Sequence, residues 1–172
     1  VYSWRNICIM FCIFKGRKQM KLSKNFTLTE FEKSQTAIRQ GLDNSMPEEH
    51  VDNAKALCEN VLQKVREHFG PTSINSGYRG ESLNKAVGGS STSQHCKGQA
   101  ADIEVSGVSN YDIAKWIEKK CDFDQVILEF YTPGIPDSGW VHVSYNTAGN
   151  RKKSLTASKV DGRTHYSLGL TR

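Results

Sequence analysis

In the segment SQHCKGQAAD, His95 and Asp102 stand seven residues apart, with Gly98, Ala100 and Ala101 between them. A second histidine, His142, lies in WVHVS. Two imidazoles and a carboxylate can bind zinc through three protein ligands and leave the fourth tetrahedral position for water, the catalytic rather than the closed arrangement. Zinc so held lowers the pKa of a water molecule and polarises a carbonyl. Each residue alone also has a plain reading, a structural histidine in a strand or a solvated strand aspartate.

Strand alternation brings the three together. AADIEV reads as a strand with Ala101, Ile103 and Val105 on one face and Asp102 and Glu104 on the other. In WVHVS, Val141 and Val143 share one face, and Trp140, His142 and Ser144 share the other. With the aliphatic residues packed on helices, Asp102 and His142 point away from the core into a cleft. His95 sits on the loop entering the first strand, where Gly98, Ala100 and Ala101 permit a tight turn.

The remaining elements build the scaffold. Thr27 and Glu30 have the spacing of a capping box. The stretch NSMPEEHVDNAKALCENVLQKVREHFGP predicts a long helix, with Ser45 as cap, Pro47 in the first turn, and Val51, Ala54, Leu57, Leu62, Val65 and Phe69 on one apolar face. Gly70 and Pro71 end it. SINSGYR reads as a strand, with a small helix near Ser82–Val87 and a GGSSTS loop after it. SNYDIAKWIEKK predicts an amphipathic helix capped at Ser109 or Asn110, with Ile113, Trp116 and Ile117 inward. DQVILEF and WVHVSYN pair as a hairpin with a long loop. The basic tail after Asn146 is expected to form a weak edge strand or to stay mobile. Helices first, then strands mixed with helices, describe an α+β domain with a small, mostly antiparallel sheet packed with helices.

With 172 residues the chain suits one domain, and 37% hydrophobic with 24% charged residues argue against wholesale disorder. The net charge of +5 favours an anionic partner. No arginine-rich run interleaved with aromatics points to nucleic acid. The five cysteines, Cys8, Cys12, Cys58, Cys96 and Cys121, are odd in number and irregularly spaced, which argues for folding in a reducing compartment. Cys96 beside His95 is a poor second ligand, because adjacent residues seldom face one ion. The apolar run Ile7–Phe14 is too short to span a bilayer and makes a poor signal peptide. Residues 1–19 are therefore expected to be a non-native or poorly ordered extension, with Met20 as the natural start; the rival reading is a short hydrophobic anchor or export segment. Residues 20–172 form the domain, with its core at 45–146.

The segment SGYRGESLNKAVGGSSTSQHCKGQAADIEV followed by WVHVS resembles the M15 zinc peptidases, the D-alanyl-D-alanine carboxypeptidases and phage endolysin peptidases with a hedgehog-like fold. The family pattern Ser-x-His-x-x-Gly-x-Ala-x-Asp with a later strand histidine is met by Ser93, His95, Gly98, Ala100, Asp102 and His142. The resemblance implies zinc on His95, Asp102 and His142, and Arg79 facing the substrate, where a guanidinium can hold a peptide carboxylate. It places Ser93 beside the ligand loop, in a supporting or substrate-touching role. Trp140, on the His142 face, joins the substrate-binding set. Better-known members carry an acidic residue shortly before the last histidine, often three residues before; here that position is Gly139. Glu129 and Asp137 are the replacements for the general base, with Glu129 preferred because it interrupts an apolar strand. His165 is a distant third candidate for a site role, and His50 and His68 read as surface or helix-end residues.

The resemblance implies hydrolysis of peptide bonds in peptidoglycan stem peptides, by a D-Ala-D-Ala carboxypeptidase or an endolysin-type endopeptidase. It implies a monomer acting on the cell wall; with no clear signal peptide and no spanning segment read in the sequence, the expectation is a protein made in the cytoplasm of a bacterial or phage-infected cell, with no stable membrane insertion. The displaced base keeps an alternative open, a catalytically silent zinc-containing module that binds cell wall or peptide.

Overall fold

The structure is a computed structural model and describes residues 20–172. The expectations for residues 1–19, including Cys8 and Cys12, lie outside the described residues.

Two short helices open the domain, α1 (Leu28–Glu32) and α2 (Gln35–Gln40). Thr27 and Glu30 form the expected capping box at the start of α1, and Ser34 caps α2 by accepting from the Ala37 amide. The long helix comes in two parts, α3 (Glu48–Leu57) and α4 (Gln63–Phe69), joined without a break by a π-helical turn at Cys58–Leu62. Cys58, Val61 and Leu62 of that turn are all buried in the core. Ser45 is not the cap. Pro47 takes that position, and both the amide and the hydroxyl of Ser45 bond to Asp43 Oδ1 instead.

After the helix come β1 (Thr72–Ser76), α5 (Glu81–Ala86), a 3₁₀ turn (Gln94–Lys97), β2 (Ala100–Val105), α6 (Asn110–Lys120), β3 (Gln125–Glu129), β4 (Trp140–Ser144), β5 (Lys153–Val160) and β6 (Arg163–Leu168). The sheet order is β1-β2-β4-β3-β5-β6, antiparallel except where β5 runs parallel to β3. The basic tail is thus neither a lone edge strand nor mobile. It forms a hairpin that extends the sheet by two strands.

One face of the sheet carries Ala101, Ile103, Val105, Val126, Leu128, Val141 and Val143, which pack with α3, α4 and α6 into the main core. Burying each of the larger aliphatic side chains contributes about 1.5–3 kcal/mol. Ile113 and Ile117 of α6 are inward as the pattern predicts, while Trp116 is half-buried and stacks on His68 at 4.7 Å between ring centroids. The opposite face carries Asp102, Ile127, Glu129, Trp140 and His142. It is the floor of a cleft of about 880 Å³. The fold is the expected α+β single domain.

Candidate active site

Asp102 on β2 is paired directly with His142 on β4. Directly opposed residues in an antiparallel ladder project to the same side, so the alternation of both strands puts carboxylate and imidazole together in the cleft. His95 arrives from the 3₁₀ turn. Ser93 caps that turn by accepting from the His95 amide at 3.3 Å. Gly98 closes it at φ +67, where a Cβ would stand 2.8 Å from the His50 carbonyl of α3. A side chain there would push the turn off the helix and move His95 out of the cleft.

The three side chains are buried and converge on one point. His142 Nδ1 lies 2.9 Å from Asp102 Oδ1, His95 Nε2 lies 3.2 Å from His142 Nδ1, and His95 Nε2 lies 3.3 Å from Asp102 Oδ1. The tautomer of His95 follows from its other nitrogen. Nδ1 is 2.7 Å from the Gly77 carbonyl, which can only accept, so Nδ1 carries the proton and Nε2 offers its lone pair. Among the described residues this is the group of histidine, cysteine and acidic side chains able to hold a metal ion; Cys96 is not in it. The donor set suits zinc, since bonds of about 2.0–2.1 Å at tetrahedral angles separate ligand atoms by about 3.3 Å.

Charge around the trio is arranged to keep Asp102 ionised. Burial pushes its pKa up, but the adjoining imidazoles of His95 and His142 outweigh burial and hold the carboxyl well below the usual range. Burial also lowers the pKa of His95, against the pull of Asp102, which favours the neutral imidazole that a metal requires. The second oxygen, Asp102 Oδ2, accepts from Arg79 Nη2 at 2.6 Å, and Arg79 Nε donates to Ser76 Oγ at 2.8 Å. Arg79 lines the cleft, yet two of its donors already hold the site together. Its loop is clamped by Asn44, whose side chain donates to the Tyr78 carbonyl and accepts from the Gly80 amide.

Glu129 ends β3 opposite Trp140, on the cleft face and two residues along from the pair Ile127–His142. Burial raises its pKa above the ordinary value, with Asp102 adding and His142 and Arg79 opposing. A cleft carboxyl whose pKa is raised by burial is a candidate for proton exchange with a substrate. Asp137 lies exposed in the β3–β4 loop and does not line the cleft. His165 is exposed on β6 and is not among the cleft-lining residues either. Ser93 and Trp140 both line the cleft, and Trp140 packs edge-on against Phe130 at 5.2 Å. Gly139, at φ +64, has no room for a side chain, since a Cβ would fall 1.9 Å from the Glu129 carbonyl oxygen.

Sequence reasoning missed Asp124. This buried carboxylate accepts from Gln94 of the ligand turn and from the backbone and guanidinium of Arg151, tying the β5 approach to the His95 turn. It also missed Lys159, Thr164 and Tyr166 of the C-terminal hairpin, which line the same cleft. Nothing in their local pattern marks them, because their placement depends on β5 joining β3.

Residues 24–144 match the family model described as Peptidase M15. The chain belongs to the peptidase M15 family. The match spans the ligand turn, β2 and β4, and so covers all three members of the His-Asp-His group. No curated protein matches the chain closely enough to tie this M15 peptidase to a particular relative. Among its described residues no helix is long and apolar enough to cross a membrane.

Proposed function

We propose that this M15 peptidase is a zinc-dependent hydrolase of peptide bonds in bacterial peptidoglycan stem peptides. The observation that carries the reading is the convergence of His95 Nε2, Asp102 Oδ1 and His142 Nδ1 within 3.3 Å of one another at the floor of an open cleft. These three atoms would hold the metal. When bound, zinc supplies a lowered water pKa and a polarised carbonyl.

The chain's own residues do the rest. Glu129, with its raised pKa, takes the proton from the attacking water and delivers it to the leaving amine. Arg79 fixes Asp102 through Oδ2 and presents its remaining N–H groups to the peptide. Trp140 and Phe130 form an aromatic wall against which the peptide lies. Ser93 supports the turn that carries His95. The net charge of +5 suits an anionic wall polymer.

Hydrolysis of a soluble stem pentapeptide by the zinc-loaded protein, followed by mass spectrometry, tests the reading. Release of free D-Ala identifies a carboxypeptidase, and release of an internal fragment identifies an endopeptidase. An intact pentapeptide and intact wall polymer, with zinc bound, would leave the binding module as the function.

A further inference from the structure

The cleft has a wall outside the stretch that carries the family likeness. The match ends at residue 144, and the β5–β6 hairpin follows it. Register places this hairpin's side chains. Glu129 pairs with Ala157, and Ala157 pairs with Tyr166, so the three form a row on the cleft face. Lys159 lies two residues beyond Ala157 on that face, paired with Thr164. Lys159, Thr164 and Tyr166 all line the cleft that holds the His-Asp-His group.

Lys159 is held in place. Its Nζ donates to Thr164 Oγ1 at 2.9 Å and sits 5.3 Å from the centre of the Phe130 ring. No ion pair to Lys159 is found among the described residues, whereas Arg151 at the same cleft is consumed by Asp124. Tyr166 stands diagonal to Lys159, a spacing of about 7–8 Å between backbones that long side chains bridge. The residue is 58% exposed and lines the cleft. Burial, then the charges of Glu129 and Asp102, raise its pKa, which keeps the phenol a donor and marks its nearness to both carboxylates.

Arg79 is the contrast. Its Nε and Nη2 are engaged by Ser76 and Asp102, so only its remaining N–H groups can meet a peptide. The hairpin offers an ammonium with no carboxylate partner among the described residues and a phenolic donor diagonal to it. We infer that Lys159 and Tyr166 form a carboxylate-binding subsite that selects an acidic peptide on the Glu129 side of the cleft. The inference rests on the peptidase reading for the identity of the peptide, but its binding chemistry can be read separately.

The test uses a fluorescently labelled stem pentapeptide and two copies of it, one with the side-branch carboxylate amidated and one with the C-terminal carboxylate amidated. Anisotropy gives the affinity of the zinc-loaded protein for each, and mass spectrometry gives kcat/KM. The wild type should prefer the free acid over one of the amides by about tenfold. Lys159→Gln should abolish that preference while binding the amide as the wild type does, and Lys159→Arg should retain it. Tyr166→Phe should reduce it in part. A wild type that treats all three peptides alike, or a Lys159→Gln variant that weakens all three equally, would overturn the subsite. Preferential binding without cleavage would refute the peptidase reading and leave the subsite standing. Cleavage without preference would do the reverse, and neither binding nor cleavage would overturn both.

Discussion

Gly139 and Glu129 face each other so closely that a Cβ on the glycine would lie 1.9 Å from the Glu129 carbonyl oxygen. The position where M15 relatives often carry an acid is therefore sterically closed in this chain. The carboxylate on the cleft face comes instead from the partner strand of the same hairpin, opposite Trp140.

Glu129→Gln should lower kcat by about 10²–10⁴-fold while leaving zinc content and the thermal transition near wild type. Burial lifts the Glu129 pKa, and the base works only when ionised. The acid limb of the rate profile should therefore lie above the ordinary value of 4.5, and it should be missing from the residual activity of the variant. Steady-state rates across pH with metal analysis check this; an unchanged rate in Glu129→Gln would remove the residue from the mechanism.

Gly139→Glu should not rescue that variant. The substitution forces a side chain into backbone at φ +64 and should cost more than about 2 kcal/mol. Urea unfolding of Gly139→Ala measures this cost without the added charge.

Arg79 acts on the metal site through Asp102. Lysine cannot reproduce the paired bonds to Asp102 Oδ2 and Ser76 Oγ. Arg79→Lys should weaken zinc binding by about 10–100-fold, read by competition with a chromogenic chelator. Zinc affinity equal to wild type, with KM alone raised, would mean that Arg79 serves the substrate and not the ligand.

Asp124 links stability to pH. Hydrogen bonds from Arg151, opposed by burial and aided by the Arg151 amide and Gln94, lower its pKa from the ordinary 3.8 to about 2. A depressed folded-state pKa stabilises the protein above the unfolded value, and that contribution is lost as pH falls from about 4 through 2. The shift corresponds to about 2 kcal/mol. Asp124→Asn should lower the urea midpoint at pH 6, and the gap to wild type should narrow toward pH 2. A gap that stays constant with pH would show that the carboxylate's charge contributes nothing.

The central strands and the His-Asp-His group were legible because period-two alternation directly encodes which side chains share a sheet face. Asp102 and His142 needed only their own strands to be read, and the ligand turn is marked by Gly98. The ends of elements were less legible. Ser45 looks like a helix cap, yet it bonds to Asp43, and Pro47 starts the helix. The π turn at Cys58–Leu62 leaves no local sign, since Cys58, Val61 and Leu62 have the i, i+3, i+4 spacing of an ordinary amphipathic helix. The hairpin was not legible as part of the site, because β5 pairs in parallel with a strand about two dozen residues earlier. Lys159 and Tyr166 enter the cleft only once that long-range register exists, and Asp124 is buried only once Arg151 folds over it.

The most direct measurement is digestion of purified peptidoglycan by the zinc-loaded protein, with and without chelator, followed by mass spectrometry of the soluble products. Release of D-Ala or stem-peptide fragments is expected, abolished by chelator, restored by added zinc, and absent in His142→Ala with its fold intact. Release unaffected by chelator, or equal in His142→Ala, would contradict a peptidase built on His95, Asp102 and His142.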